Sequence, residues 1–478
     1  MPVANQTSSR SGDLRDRDAL RRRALCLAYL NSMLWSIGNG LTTGALVIYL
    51  AKDLGASGRQ IGLLLAAPAL VGVLRLFTPA IIGLFGTAKR TCLALSFFSY
   101  LLIWILPAVA LEELVPRRTA LPMLVTLLCA HQLLESTALA ALWAWLADVV
   151  PRQVRGRYFA RRQILQLLVL IPTILLSGFF ADAWRDKYGK SDPEKMLLGY
   201  AIPNSVGAAA LMASLVPLLA MSATLGRHRA RRSAAQALNS THVKNQRLAG
   251  QQWSSITAPW RDARFWPLLI FGCWLSFSNG LTQAVQNIYP KDVLALGVFA
   301  LAVMRTMMQL GQMGYAAWVG PLSDRFGNRP VLIVSQIFLA LAPLFFLSAS
   351  PEHPWIVAGA WVMWSAYAGL NICLPNLSLK LGGNANAASY IATYFGVTSV
   401  FYAASTVIGG YLFDELKNDS SIPWVAQLGG RFAFFFWIAW LLRSTAVFWL
   451  LAIPEPGART WREILFRRKR EEAANVNV

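Results

Sequence analysis

Charge is scarce in this chain. Asp, Glu, Lys and Arg make up 14% of its 478 residues, against 56% hydrophobic residues and a mean hydropathy of +0.46. A soluble domain of this length has no interior large enough to hide so much apolar surface, which excludes an ordinary soluble enzyme or binding module. Histidine and cysteine are scarce too, at four and five copies. His228 and His242 stand alone in a basic stretch and His353 sits beside Pro354, so neither metal-ligand spacing nor a nucleophile–base arrangement exists, and no metal site is expected. Cys26, Cys92, Cys129, Cys273 and Cys373 fall in or beside apolar runs and read as packing residues, not disulfides. No G-x-x-x-x-G-K-[ST] run offers a phosphate cradle, so ATP-driven work is unsupported, and neither a cofactor nor an enzymatic activity is expected.

What the chain has in abundance is long apolar runs. Twelve can be placed, near 26–50, 60–84, 91–111, 120–147, 163–183, 197–223, 266–290, 298–320, 330–349, 355–379, 388–413 and 431–453. Each reaches the roughly 20 residues that a hydrocarbon core of about 30 Å requires. Backbone polar groups find no water in lipid, so every span is predicted to be helical, with Gly38, Gly40, Pro203 and Pro375 allowing bends or close contact. The first run follows Arg21-Arg22-Arg23 but continues past Leu50 without a small-residue cleavage site, and is read as a retained span, not a signal peptide.

Lys and Arg give the orientation. With residue 1 inside, the inner segments hold thirty of them and the outer loops eleven, which predicts cytoplasmic termini in the cell membrane. The formal charge of +21 is spread over loops, which speaks against nucleic acid and for anionic lipid of the inner leaflet. Trp461 to Arg470 fits either an interfacial helix held by that charge or a solvated tail. The expected organisation is a basic tail (1–24), a six-helix bundle (25–224), a basic linker (225–264), a second bundle (265–454) and a basic tail (455–478), in a monomer.

The two bundles look like copies. Asn39-Gly-Leu-Thr42 recurs as Asn279-Gly-Leu-Thr282, and Ile48-Tyr49 as Ile288-Tyr289, at a constant offset of 240 residues. Between the eighth and ninth spans lies Gly320-Pro-Leu-Ser-Asp-Arg-Phe-Gly-Asn-Arg329. It resembles the loop signature of the major facilitator superfamily, G-x-L-[AS]-D-R-x-G-x-[RK], at Gly320, Leu322, Ser323, Asp324, Arg325, Gly327 and Arg329. The resemblance implies an all-α integral membrane fold of twelve helices in two pseudo-symmetric six-helix bundles, rocking about a midplane site to transport a small solute.

It also implies a cytoplasmic gate in which acid loops dock on helix starts and arginines of the opposite bundle. Gly83 stands where the first loop would carry its acid, and 382–387 lacks the family's arginines. One seam remains, with Asp324 facing Arg155 or Arg157 at the start of span five and Asp148 facing Arg325 or Arg329. Each of these charges can instead simply mark the interface.

In this superfamily spans 1, 4, 7 and 10 line the cavity, and here they carry polar residues at helical spacing. The candidates for substrate binding are Trp35 and Asn39, Asn279 and Gln283, Trp364, Tyr367 and Asn371, with Asn31, Gln286 and Asn287 nearby. Arg305 joins them from span eight, with Gln309 and Gln312 on a similar face, whereas Arg443 in span twelve is expected to pack or snorkel. Ionisable groups at mid-span cost about 2.5–3.5 kcal/mol to insert, which makes them functional candidates. His131 and Glu135, one turn apart, are candidates to carry a proton, with Arg75 as the alternating partner of Glu135. The other reading is a fixed Arg75–Glu135 pair. A cavity rich in amides and aromatics suits a neutral polar solute such as a sugar. An organic anion held by Arg75 or Arg305 and export of drugs or lysolipids are the alternatives, and a non-transporting sensor or scaffold is the alternative of another class.

Overall fold

The computed structural model describes residues 4–42, 44–74, 78–110, 114–150, 155–189, 192–221, 257–416 and 423–455. Most of the expected linker, the tail beyond Glu455 and Arg75 lie outside the described residues. The helices in chain order are α1 (Ala4–Thr42), α2 (Ala45–Asp53), α3 (Gly58–Leu74), α4 (Thr78–Phe85), α5 (Ala88–Ile105), α6 (Arg117–Val149), α7 (Arg155–Tyr188), α8 (Pro193–Ala213) and α9 (Leu215–Ala220). They continue with α10 (Trp266–Asp292), α11 (Val298–Phe326), α12 (Asn328–Ser348), α13 (Ala358–Met363), α14 (Tyr367–Glu415), α15 (Pro423–Gln427) and α16 (Gly430–Leu451).

No strand occurs among the described residues, and ten helical stretches are long and apolar enough to cross a bilayer. The two remaining expected spans are helical as well. Span 60–84 is α3 followed by α4, and span 298–320 is α11, whose Arg305, Gln309 and Gln312 dilute its apolar content. Span one is broken in two, because Gly44 takes φ 83° and ψ −130°, a backbone region closed to residues with a Cβ. Pro203 and Pro375 lie inside α8 and α14, as lipid-embedded helices tolerate.

The chain packs into two compact units. The first comprises Met1–Ala56, Leu74–Leu248 and Gly297–Ala302, and the second Ser57–Val73, Ala249–Leu296 and Val303–Val478. Within the first, α1 packs on α7 and α8, and α5 on α6. Within the second, α10 packs on α14 and α16, and α12 on α16.

Small residues set these approaches, because packing between helices in lipid relies on close van der Waals contact. A Cβ on Gly40 would meet Thr173 of α7 at 3.0 Å, and one on Gly280 would strike the Ser405 hydroxyl and the Tyr402 carbonyl of α14. Gly40 and Gly280 occupy the same place in the two Asn-Gly-Leu-Thr runs. Their contacts Thr173 and Ser405 are 232 residues apart, and so are Gly178 and Gly410 on the same two helices. Gly178 lets the Phe299 Cα approach, and Gly410 the Gly58 carbonyl. Contacts that repeat at matched offsets are the physical trace of a duplicated helical unit.

Candidate functional site

A cavity of about 320 Å³ opens within the second unit. Asn279, Gln283, Gln286 and Asn287 reach it from α10, because steps of three and four residues share one helix face. Arg305, Met308 and Gln312 come from α11, and Trp361, Trp364 and Tyr367 from α13 and the turn into α14. Tyr402 and Arg443 complete the wall.

Several of these side chains are held in place. The Tyr367 hydroxyl donates to Asn279 Oδ1 at 2.9 Å, Gln286 Nε2 donates to Thr282 Oγ1 at 3.0 Å, and Asn287 Nδ2 donates to the Gln283 carbonyl at 2.8 Å. Trp364 rests against Phe346, with ring centroids 5.7 Å apart, and Phe346 stacks on Phe436 at 4.8 Å. The indole N–H groups of Trp361 and Trp364 have no protein partner.

Of the two fates expected for Arg443, packing or snorkelling, the structure has it packed: it is only 1% exposed, and it lines the cavity with Nε and Nη1 making no hydrogen bond. Its position is fixed through its backbone, whose carbonyl accepts from Gln336 Nε2 at 2.8 Å and so ties α16 to α12. Nothing in the apolar run around Arg443 signals which way that face turns. Arg305, by contrast, is exposed to the cavity lumen.

A second, much smaller cavity lies in the first unit. At about 20 Å³ it holds roughly one water. Trp35, Tyr100, Glu135, Arg162 and Gln166 are among its walls. His131 Nε2 lies 3.0 Å from Glu135 Oε2, and Trp35 Nε1 donates to Glu135 Oε1 at 2.9 Å. On its other side His131 Nδ1 is 2.7 Å from the Ser99 hydroxyl and 3.2 Å from the Ser99 carbonyl. The Ser99 hydroxyl is also within 3.2 Å of the His131 carbonyl. Arg162 is 3% exposed and its Nε has no partner. Sequence reasoning missed Arg162, although its one-turn spacing from Gln166 at the start of span five was a usable signal.

The remaining candidates are scattered. Asn31, another wall of the small cavity, donates from Nδ2 to the Ser214 carbonyl at 2.8 Å, which ties the interior of α1 to the C-terminal end of α8. Asn39 is half-buried on α1 and Asn371 exposed on α14, and neither lines the two cavities described. The side chains of Asp148, Arg155, Arg157 and Asp324 lie outside the described residues. The Arg325 guanidinium sits 5.2 Å from the Phe326 ring centroid. Arg329 is engaged by the end of α16 and the chain after it, its N–H donating to Glu455 Oε2 at 2.7 Å and its guanidinium to the Leu451 carbonyl. Glu455 Oε1 also accepts from the Asn328 N–H at 3.0 Å and from Lys380 Nζ at 2.7 Å. Burial pushes the Glu455 carboxyl up, but the Lys380 ammonium and the Asn328 and Arg329 N–H groups outweigh it and hold it below the usual carboxylate range.

The family model of the Major Facilitator Superfamily matches residues 28–379. The chain belongs to this superfamily. With ten helices among the described residues long and apolar enough to cross a bilayer, it is a multi-pass membrane protein. Among curated proteins, the facilitator is 28% identical over 118 residues to the uncharacterized MFS-type transporter YfkF of Bacillus subtilis, covering 23% of this chain and 29% of that protein. It is 23% identical over 206 residues to an uncharacterized transporter of Schizosaccharomyces pombe, covering 40% of this chain and 38% of the other. The chain thus spans well under half the length of these curated relatives. Among solved structures, the nucleoside transporter NupG superposes with a TM-score of 0.61 at 12% identity, covering 91% of this chain and 98% of NupG. The xylose transporter XylE from E. coli gives 0.59 at 15% identity, covering 92% and 100%. At such identities the likeness is one of fold.

Proposed function

We propose that this facilitator is a proton-coupled secondary transporter whose solute binds among the amides and aromatics of the cavity in the second unit. Five of the candidate residues, Asn279, Gln283, Arg305, Trp364 and Tyr367, line it together, and its size lies in the range of small-ligand sites, about 300–1,000 Å³. The Lys and Arg bias of the loops supports a cell-membrane protein with both termini cytoplasmic, in contact with anionic lipid.

The observation that carries the coupling is that His131 has a partner for either protonation state. With Nδ1 bare, the Ser99 hydroxyl donates into it across 2.7 Å. With Nδ1 protonated, the ring donates to the Ser99 carbonyl at 3.2 Å and the hydroxyl turns to the His131 carbonyl. Nε2 keeps its contact with Glu135 in both states. A buried group that can gain and lose a proton without orphaning a hydrogen bond is suited to relay one. Arg162, on the same small cavity as Glu135, takes the part expected of Arg75, a cation to which the carboxylate turns when Trp35 releases it.

Proteoliposomes with and without an imposed proton gradient test the reading. Accumulation is expected only with the gradient, and equal accumulation in both would refute the coupling.

A further inference from the structure

The cavity in the second unit carries two guanidinium groups, Arg305 and Arg443, and no acidic residue among its walls. Among the described residues neither arginine forms an ion pair. Removing a charge from water costs several kcal/mol unless a partner compensates it, and two like charges facing one space add repulsion. Structural arginines of membrane spans meet that cost with a carboxylate, with backbone carbonyls or by reaching the headgroups. Arg443 is 1% exposed, with Nε and Nη1 bonded to none of these.

We infer that the compensating charge is supplied by the solute, and that the site takes a small organic oxyanion, a carboxylate or phosphate ester of about monosaccharide size. The inference rests on the reading of this cavity as the transport site and adds the charge of what it carries. A planar guanidinium is matched to the oxygens of a carboxylate or phosphate, and Arg443 has donors at Nε and Nη1, one on each of its two bidentate edges, that no protein atom takes. Arg305, open to the lumen, is the group that a solute meets on entry. The free indole N–H groups of Trp361 and Trp364 add neutral donors, and the α10 amides are left for the hydroxyl-bearing body. A neutral sugar, the first expectation from sequence, would satisfy the amides and leave both cations unanswered.

The test uses full-length protein in nanodiscs and isothermal titration at constant ionic strength, with D-glucose, D-glucuronate, D-glucose 6-phosphate and inorganic phosphate as probes. At least one anion is expected to bind about tenfold or more tighter than D-glucose, and Arg305→Gln or Arg443→Gln to remove about tenfold or more of that affinity. Which anion prevails separates carboxylate from phosphate. Should Arg443→Gln fail to fold, the lumen-facing Arg305→Gln still decides. Binding of D-glucose as tight as that of every anion, silence of all the anions, or anion binding untouched by Arg305→Gln and Arg443→Gln would each overturn the inference. Flux measurements keep the two readings apart. An anion that binds through these arginines but is never carried overturns transport at this site and leaves the anion site standing. Flux of an anion that is indifferent to both substitutions does the reverse.

Discussion

The carboxylate of Asp414 caps a helix that begins at Gly58, 356 residues earlier in the chain, taking the Gly58 N–H at 2.7 Å and the Arg59 N–H at 2.8 Å. Asp182 does the same for α11, accepting from Val298 and Phe299 at 2.8 Å each. Gly58 and Val298 are 240 residues apart, the offset of the Asn-Gly-Leu-Thr repeat, and the two aspartates are 232 apart, the offset of the glycines beside them. A helix start presents free N–H groups and partial positive charge, so one carboxylate that fills two of them serves as cap and tether together.

Asp182→Ala and Asp414→Ala are each expected to cost about 1–2 kcal/mol, the range for a lost charged cap. Thermal unfolding in detergent should register both as a lowered midpoint, with Asn in either place recovering part of it. Unchanged midpoints would mean that the N–H groups find water equally well.

Gly280→Val should destabilise sharply, by about 1–3 kcal/mol or more, because its branched side chain would be forced into the Ser405 hydroxyl and the Tyr402 carbonyl. Gly314→Ala, where a Cβ meets nothing within 4 Å, is expected to fold as wild type. Expression and gel-filtration profiles of the pair check this, and equal behaviour would contradict the packing described.

Glu455 predicts an acid limit to stability. Its folded carboxyl titrates below the ordinary glutamate value, so the contacts to Lys380, Asn328 and Arg329 contribute fully above that value and are lost as pH falls through the folded one. Unfolding midpoints measured from neutral pH down to about pH 3 should therefore fall for wild type. Glu455→Gln should start lower at neutral pH and show a shallower acid loss. Parallel curves would remove Glu455 as the cause.

Glu135→Gln is expected to separate exchange from accumulation. Without a titrating carboxylate beside His131, substrate counterflow across proteoliposomes should persist while gradient-driven accumulation disappears. Loss of both would assign Glu135 to solute binding or folding instead of coupling.

Asp324→Asn is expected to lower transport strongly, whereas Gly83→Asp should not improve it, if the single retained acid loop closes the cytoplasmic side. Flux at wild-type level in the Asp324→Asn protein would reject that gate.

Much of this was written in one dimension. Apolar length fixes a span because lipid offers the backbone no alternative to a helix, and positions 279, 283, 286 and 287 share a face because 3.6 residues make a turn. The one-turn spacing of His131 and Glu135 likewise made their 3.0 Å contact predictable. The repeat at 240 residues was legible since duplication preserves the glycines that close packing demands. Which faces of different helices meet was decided only by tertiary structure. Arg443 points into the cavity because Gln336 and the aromatic stack of Phe346 and Phe436 set the rotation of α16. Arg162 shares a pocket with Glu135, and Asp414 finds Gly58, through contacts between segments far apart in sequence. Periodicity specifies a helix's own faces, but the azimuth at which two helices dock depends on side chains from both. No single stretch of sequence contains that information.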